Sequence, residues 1–343
     1  MSDRLKRRLG TGALLTVSAV VLGACAENAP QDSLSPAGPY ARQIDTLFRP
    51  VFWIAVAVFV LVQGLLLYAV FRFRHRGDRG IPVQVHGNRR LEIAWTIIPA
   101  MLLAGIAIPT VGTIFSLDRR PAGDVLDIRV VGHQWWWDVE YPTLGVVTAN
   151  EVHIPAGRPV RLSLETEDVI HSFWIPRLAG KQDMLPGRTT TLNIQADEPG
   201  TYEGQCTEFC GASHANMQFL VIAQVPAEFD AWVQDQGRPA VAPAAGSPAA
   251  QGAEIFVRGT EVGSCVGCHA IEGVQGAEAR IGPNLTHFGS RATFAGAIFQ
   301  NNAENLRAWL DDPDSVKPGA RMPDYNLTRE EIEALVAYLQ GLE

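Results

Sequence analysis

Within twelve residues, CTEFCGASHANM (206–217), the chain carries two cysteines, a histidine and a methionine. A redox disulfide, a zinc site and a copper site all draw on such a set. A disulfide pair is ordinarily spaced C-x-x-C and needs neither His214 nor Met217 at fixed offsets. Zinc takes Cys and His but rarely a thioether, so Met217 points to a softer metal. A single blue-copper ion uses two His, one Cys and a weak Met, which leaves either Cys206 or Cys210 over. Two thiolates suit a dinuclear copper centre in which both sulfurs bridge and one histidine terminates each metal. Bridging shares the unpaired electron, so little geometry changes on transfer and the centre is a fast electron relay. Its second histidine has to come from His133, His153 or His171. His171, in EDVIHSFWIP, follows a predicted strand at a loop mouth, whereas His153, in EVHIP, is expected to alternate outward on a strand.

The second constellation is CVGCH (265–269), a c-type haem attachment signature. Cys265 and Cys268 would add covalently to the haem vinyl groups, and His269 would become an axial iron ligand. A zinc knuckle would want a further ligand pair, which the surrounding segment lacks. That segment contains one methionine, Met322 in ARMPDY, and one other histidine, His287 in LTHFG. Met322 is the expected second axial ligand, because a thioether raises the reduction potential. His287 is expected to be a surface or loop residue.

These groups must be positioned by a chain of 343 residues with a formal net charge of −8, long enough for two or three domains. Nucleic acid is excluded as a partner by the acidic balance. The cysteines fall as one alone, Cys25, and two close pairs, a spacing for ligation rather than for a disulfide framework. Residues 1–25 have the basic start, short apolar run and small residues of a signal peptide. Leu22 to Cys25 resembles a bacterial lipobox, which would lipidate Cys25, while Ala24 and Ala26 also form an ordinary cleavage site. A transmembrane hairpin is expected over 40–118, with spans at about 51–71 and 93–115, each near the twenty apolar residues a bilayer requires. Arg72, Arg74, Arg76, Arg79, Arg89 and Arg90 put the loop between the spans in the cytoplasm and everything after residue 116 outside. Short alternating runs over 124–236 predict an antiparallel β sandwich, closed by a short helix starting at Pro226. The Ala/Pro/Gly-rich stretch 237–252 is expected to be a linker, and 253–343 a helical domain whose last helix opens on a Thr328/Glu331 capping box.

GHQWWWDVEYP (132–142), DVIHSFWIP (168–176), YEGQCTEFCGASHANM (202–217) and NRRLEIAWTIIP (88–99) together resemble subunit II of haem-copper cytochrome c oxidases, over roughly residues 40–236. The added CVGCH domain resembles the caa-type branch, in which a cytochrome c is fused to that subunit. The resemblance implies a two-helix membrane hairpin, a cupredoxin-like β sandwich and an all-α class I cytochrome c domain. It implies a dinuclear copper centre held by His171, Cys206, Cys210, His214, Met217 and the carbonyl of Glu208. The Glu208 carboxylate would reach a magnesium or manganese ion shared with subunit I. Trp135 matches the family's electron-accepting tryptophan, and Glu92 the glutamate at the mouth of a proton pathway into subunit I. Trp136 departs from the tyrosine of many relatives, which bears on the docking surface.

The resemblance further implies a bacterial inner-membrane protein with its copper and haem domains on the periplasmic side. Its partners would be subunit I, further oxidase subunits and membrane lipid, and its donor a cytochrome c or a quinol-cytochrome c reductase complex. Electrons would pass through haem c and the copper pair to subunit I, where oxygen is reduced to water with proton pumping. The two spans hold no set of histidines for an oxygen-reducing site. The quinol-oxidising branch lacks the copper ligands that are present here. A copper-containing nitric oxide reductase subunit and a free-standing membrane electron carrier are the alternatives.

Overall fold

The computed structural model describes residues 29–343 apart from 75–79, 81–83 and 85–86. The segment read as a signal peptide, Cys25, Arg76 and Arg79 lie outside the described residues. Two long helices come first, α1 (Pro39–Phe73) and α2 (Arg89–Asp118). At 1.5 Å per residue they run about 52 and 45 Å, more than a ~30 Å hydrocarbon core. Their most apolar stretches are wholly unburied, so Phe59, Leu61, Trp95 and Ile108 face outward as lipid-facing side chains do. Both helices outrun the expected spans because their far ends are fastened to the sandwich. Ala41 N donates to Leu178 O, Arg42 pairs with Asp197, and Asn193 Nδ2 donates to the Leu117 and Arg119 carbonyls. The opposite end of α2 is capped by the Asn88 side chain, which accepts from Arg90 N and Leu91 N.

The sandwich is built from β1 (Leu126–His133), β2 (Trp136–Tyr141), β3 (Val146–Ala149), β4 (Glu151–Pro155), β5 (Val160–Thr166), β6 (His171–Trp174), β7 (Lys181–Met184), β8 (Thr190–Ile194), β9 (Gly200–Cys206) and β10 (Gln218–Gln224). These form two five-stranded sheets, β3-β2-β1-β5-β8 and β4-β10-β9-β6-β7. The expectation of a wholly antiparallel sandwich needs correction, since β1 pairs with β5 and β4 with β10 in parallel. Alternation of apolar residues reports which face is buried, and that period is the same for either strand direction. Between the sheets Phe173 stacks on Phe219 at 3.9 Å, with Trp137 edge-on to both. Gly204 makes the room, as a Cβ there would lie 2.2 Å from Phe219 Cζ. Helix α3 (Pro226–Gln236) closes one end, and its Trp232 stacks on His153 at 4.1 Å. His153 thus leaves the core as alternation requires but is covered by a helix.

The C-terminal domain packs α4 (Pro248–Arg258) across α7 (Arg329–Gln340), with α5 (Ala303–Asp311) and the single-turn α6 (Pro313–Val316) beside them. The crossing is close because Gly252 sits where a Cβ would be 2.1 Å from Ala334 O. The stretch read as a linker up to residue 252 already enters α4 at Pro248, capped by Ser247 Oγ accepting from Ala250 N. Alanine is a good helix former, so an Ala-rich run becomes helix once a Ser-Pro start and a packing partner are present. The Thr328/Glu331 capping box forms as read, and Ile332, Leu335, Val336 and Leu339 are buried. The domain is not purely helical: β11 (Thr293–Phe294) and β12 (Phe299–Gln300) make a small hairpin.

Candidate metal and haem centres

The cysteine loop joins β9 to β10, and its two ends are pinned by Cys206 N donating to Met217 O at 2.9 Å. Strand β6 lies beside β9 with Phe173 opposite Cys206, and this brings His171 to the loop from 35 residues upstream. His171 begins a strand rather than following one, and it is fully buried with Cys206, Cys210 and Met217. The two sulfurs of Cys206 and Cys210 are 3.8 Å apart and both are free thiols. Cys206 Sγ lies 3.8 Å from His171 Nδ1 and 3.3 Å from Glu208 O, and Cys210 Sγ lies 3.6 Å from His214 Nδ1 and 3.8 Å from Met217 Sδ. Of the three candidate histidines only His171 reaches the sulfurs: His133 stacks on Trp136 at 4.4 Å and His153 lies under Trp232. The donors of His171, Cys206 and Cys210 converge within 4.8 Å.

The electrostatics of the loop favour binding a cation. The neighbouring Cys210 thiol, with His171 and two backbone groups, pulls the Cys206 thiol well below its ordinary value against its burial. The same pairing with Cys206, added to burial, pushes Cys210 up, because a second thiolate would sit against the first. Removing that last proton calls for positive charge between the sulfurs. His171 Nε2 bonds Asp168 Oδ1 at 2.8 Å, which leaves Nδ1 turned to the sulfurs. Burial opposes ionisation of Asp168, but hydrogen bonds from His171, Gln134 N and Val169 N prevail and hold it near 2. Two thiols, two imidazoles, a thioether and a carbonyl form a donor set that fits soft, sulfur-bridged metal. The Glu208 side chain itself is exposed, beside the 76 % exposed Phe209.

Trp135 lies over this loop. Its Nε1 donates to Cys210 O at 3.1 Å, and Gln134 Nε2 donates to the same carbonyl at 2.6 Å. Gly211, at φ +117°, lets the ring in: a Cβ there would be 2.9 Å from Trp135 Cζ2. The other side of Trp135 borders a cavity of about 230 Å³ that is shared with the C-terminal domain.

Cys265, Cys268, His269 and Met322 all line that cavity. Cys265 opens a 3₁₀ turn that presents the CVGCH residues, and burial pushes its thiol up to about 11. His269 Nδ1 is 2.8 Å from Pro283 O, so with the proton on Nδ1 the Nε2 lone pair is free for a metal. Burial lowers the pKa of this ring and keeps it neutral. Met322 Sδ accepts from Trp309 Nε1 at 3.1 Å. An apolar cavity with two thiols, a neutral imidazole and a thioether fits haem. His287 lies in a turn, as expected of a surface or loop residue, but not at the surface: it is buried, away from the cavity lining, with Nε2 bonded to Arg238 O at 2.9 Å. A residue that the sequence did not single out is Arg291, a buried cation on the cavity wall whose Nε has no partner. Burial lowers its pKa to about 10. Its one sequence signal is a lone charge in the otherwise uncharged stretch 281–303.

Glu92 stands apart, in the first turn of α2 with Asp118 and the sandwich at the other end. Its Oε1 lies against Gly87, where a Cβ would be 2.4 Å away.

Three family models match in chain order: the transmembrane domain of cytochrome c oxidase subunit II over residues 28–112, the periplasmic domain of that subunit over 145–225, and cytochrome c over 249–343. Subunit 2 of the cytochrome c oxidase of Alkalihalophilus pseudofirmus is 43% identical over 319 residues, covering 91% of this chain and 90% of the relative. The chain belongs to the cytochrome c oxidase subunit II family. Cytochrome c oxidase subunit 2 of Bacillus subtilis is 36% identical, with 91% of each chain covered. The periplasmic domain of the subunit II CoxB of Bradyrhizobium japonicum aligns with 34% of this chain and 95% of its own, at 30% identity and a TM-score of 0.33. As a subunit II with a fused cytochrome domain, the chain is a membrane protein with a copper centre and a haem, and a component of a haem-copper oxidase alongside subunit I. The full-length relatives are oxidase subunits, which disfavours the nitric oxide reductase and free-carrier alternatives.

Proposed function

We propose that this subunit receives electrons at a covalently bound haem c and relays them through Trp135 to a dinuclear copper centre, from which they pass to subunit I. The observation that carries the reading is Trp135, which borders the haem cavity with one side and donates its indole N–H to the Cys210 carbonyl with the other. When bound, the haem and the copper pair supply one-electron couples. Cys265 and Cys268 would anchor the haem, His269 and Met322 would ligate its iron, and Arg291 on the cavity wall would offer a cation to its carboxylates. His171, Cys206, Cys210, His214, Met217 and the Glu208 carbonyl hold copper. The protein's own contribution is rigidity: Asp168 fixes the ring of His171, Pro283 O fixes that of His269, and burial keeps water from His171.

The exposed Glu208 carboxylate is assigned to a magnesium or manganese ion at the subunit I boundary. Glu92, at the far end of α2, is assigned to the mouth of a proton pathway. The arginines around residues 72–90 argue for that end being cytoplasmic, and so for a bacterial inner membrane with the sandwich and cytochrome domain on its periplasmic side. The donor is a cytochrome c or a quinol-cytochrome c reductase complex, and the outward faces of α1 and α2 meet lipid. In the purified oxidase, Cys206→Ser is expected to abolish the copper signal, and Met322→Ala to shift the haem spectrum. Trp135→Phe is expected to slow reduction of copper after haem reduction by roughly tenfold or more, with both spectra intact. Parental transfer in Trp135→Phe would refute the relay.

A further inference from the structure

The cytochrome domain meets the sandwich at Trp135 through an unusual group. Lys317 is 3 % exposed, and its Nζ donates to Trp135 O at 2.6 Å and to Ala295 O at 2.7 Å. One carbonyl belongs to the sandwich and the other to the cytochrome domain. Among the described residues Lys317 has no carboxylate within ion-pair distance. A buried ammonium without an acid is costly, so its placement calls for a role that two carbonyls satisfy. Burial pushes the amine down to about 7. Charged or neutral, it keeps at least two N–H donors for the two carbonyls.

The backbone around it is shaped for the same contact. Gly296, at φ +79°, sits where a Cβ would be 2.8 Å from Lys317 Nζ and 3.1 Å from Trp135 O. Gly319, at φ +80°, sits where one would be 2.9 Å from Trp135 Cη2 and 3.0 Å from Ala212 Cβ. Gln218 N donates to Gly296 O at 2.9 Å, and Ser213 Oγ to Pro318 O at 2.6 Å, so the cysteine loop is tied to the same two segments.

We propose that Lys317 is a positioning residue for electron transfer between the two domains, a buried latch that joins the Trp135 and Ala295 carbonyls and holds the Trp135 indole against the cytochrome domain. The inference rests on the reading of Trp135 as the relay and adds the group that sets its placement. In the step it serves, one electron lost from the cytochrome domain is gained by the copper domain, with no bond made or broken and no proton moved.

The test uses the purified oxidase complex, photoreducing the haem and following copper absorbance. Lys317→Met is expected to slow internal transfer roughly ten- to a hundredfold, with the haem and copper spectra and midpoint potentials unchanged. Reduction of copper from solution by hexaammineruthenium(II) is expected to be as fast as in the parent or faster. Gly319→Ala keeps the amine but pushes the ring away, and is expected to slow transfer in the same way. If Lys317→Met transfers at the parental rate while Trp135→Phe is slow, the latch is overturned and the relay stands. If both transfer at the parental rate, the relay falls with it. Should Lys317→Met lose its haem, Gly319→Ala decides, and parental transfer there overturns the proposal.

Discussion

Asp168→Asn tests how His171, the proposed copper ligand, is held. In the parent, Oδ1 bonds His171 Nε2 at 2.8 Å and Val169 N at 2.7 Å, while Oδ2 accepts Gln134 N at 2.7 Å. All three partners are donors, and a carboxylate can accept from every one. An asparagine has a single acceptor oxygen, so if it keeps His171 and Val169 its amide group faces the Gln134 N–H donor to donor. Leaving that half-buried N–H unpaired costs about 1–3 kcal/mol. Loss of the charge behind His171 is a separate effect, and removing such a partner typically weakens metal binding by roughly 10–100-fold, or about 1.4–2.8 kcal/mol. Arg321, 3.8 Å from Asp168 and largely exposed, adds little. Copper affinity by chelator competition and metal-free stability by chemical denaturation of the full chain in detergent measure the two effects independently. A variant with copper affinity within about twofold of the parent would refute the claim that Asp168 orients and charges the ligand.

Asp138 gives a pH dependence. Burial, then repulsion from Glu140, raises its carboxyl from 3.8 to about 6, with Arg280, Arg129 and Arg291 offsetting part of it. The folded chain therefore holds this proton more tightly than the unfolded one, so stability falls as pH rises through the window from 3.8 to about 6 and is level above it. Asp138→Asn is expected to remove up to about 3 kcal/mol of that fall, read as the difference between variant and parent denaturation at acid and neutral pH; identical pH profiles would contradict it. Gly252→Val is expected to separate α4 from α7, because its Cβ would meet Ala334 O at 2.1 Å. A cost above about 3 kcal/mol and loss of haem on a denaturing gel follow, and a stably haem-loaded Gly252→Val would show that the crossing has slack.

The candidate chemistry was legible because its proposed ligands are packed into short stretches. Cys206, Cys210, His214 and Met217 fall on one loop, and Cys265, Cys268 and His269 on one turn, so local spacing alone brings the atoms together. The long apolar runs and the Thr328/Glu331 box were legible for the same reason, each being set within a few residues. Spacing left His133, His153 and His171 open, the family resemblance favoured His171, and the pairing of β6 with β9 is what sends that residue to the sulfurs. Strand direction was misread because side-chain alternation has the same period in parallel and antiparallel pairs.

His287, Arg291 and Lys317 show the boundary most sharply. In the sequence each is a polar residue in a loop, and such residues are ordinarily solvated. His287 and Lys317 are buried because a second segment, remote along the chain, closes over each, Arg238 O on His287 and the Trp135 carbonyl on Lys317, while Arg291 is buried in the cavity wall. By itself the sequence pointed to a copper centre and a haem, since donor type and short spacing are local properties. Only the tertiary structure showed how His171 is brought to the cysteine loop and how the two domains meet at Trp135, since those contacts exist only after distant backbone has been brought within hydrogen-bonding reach.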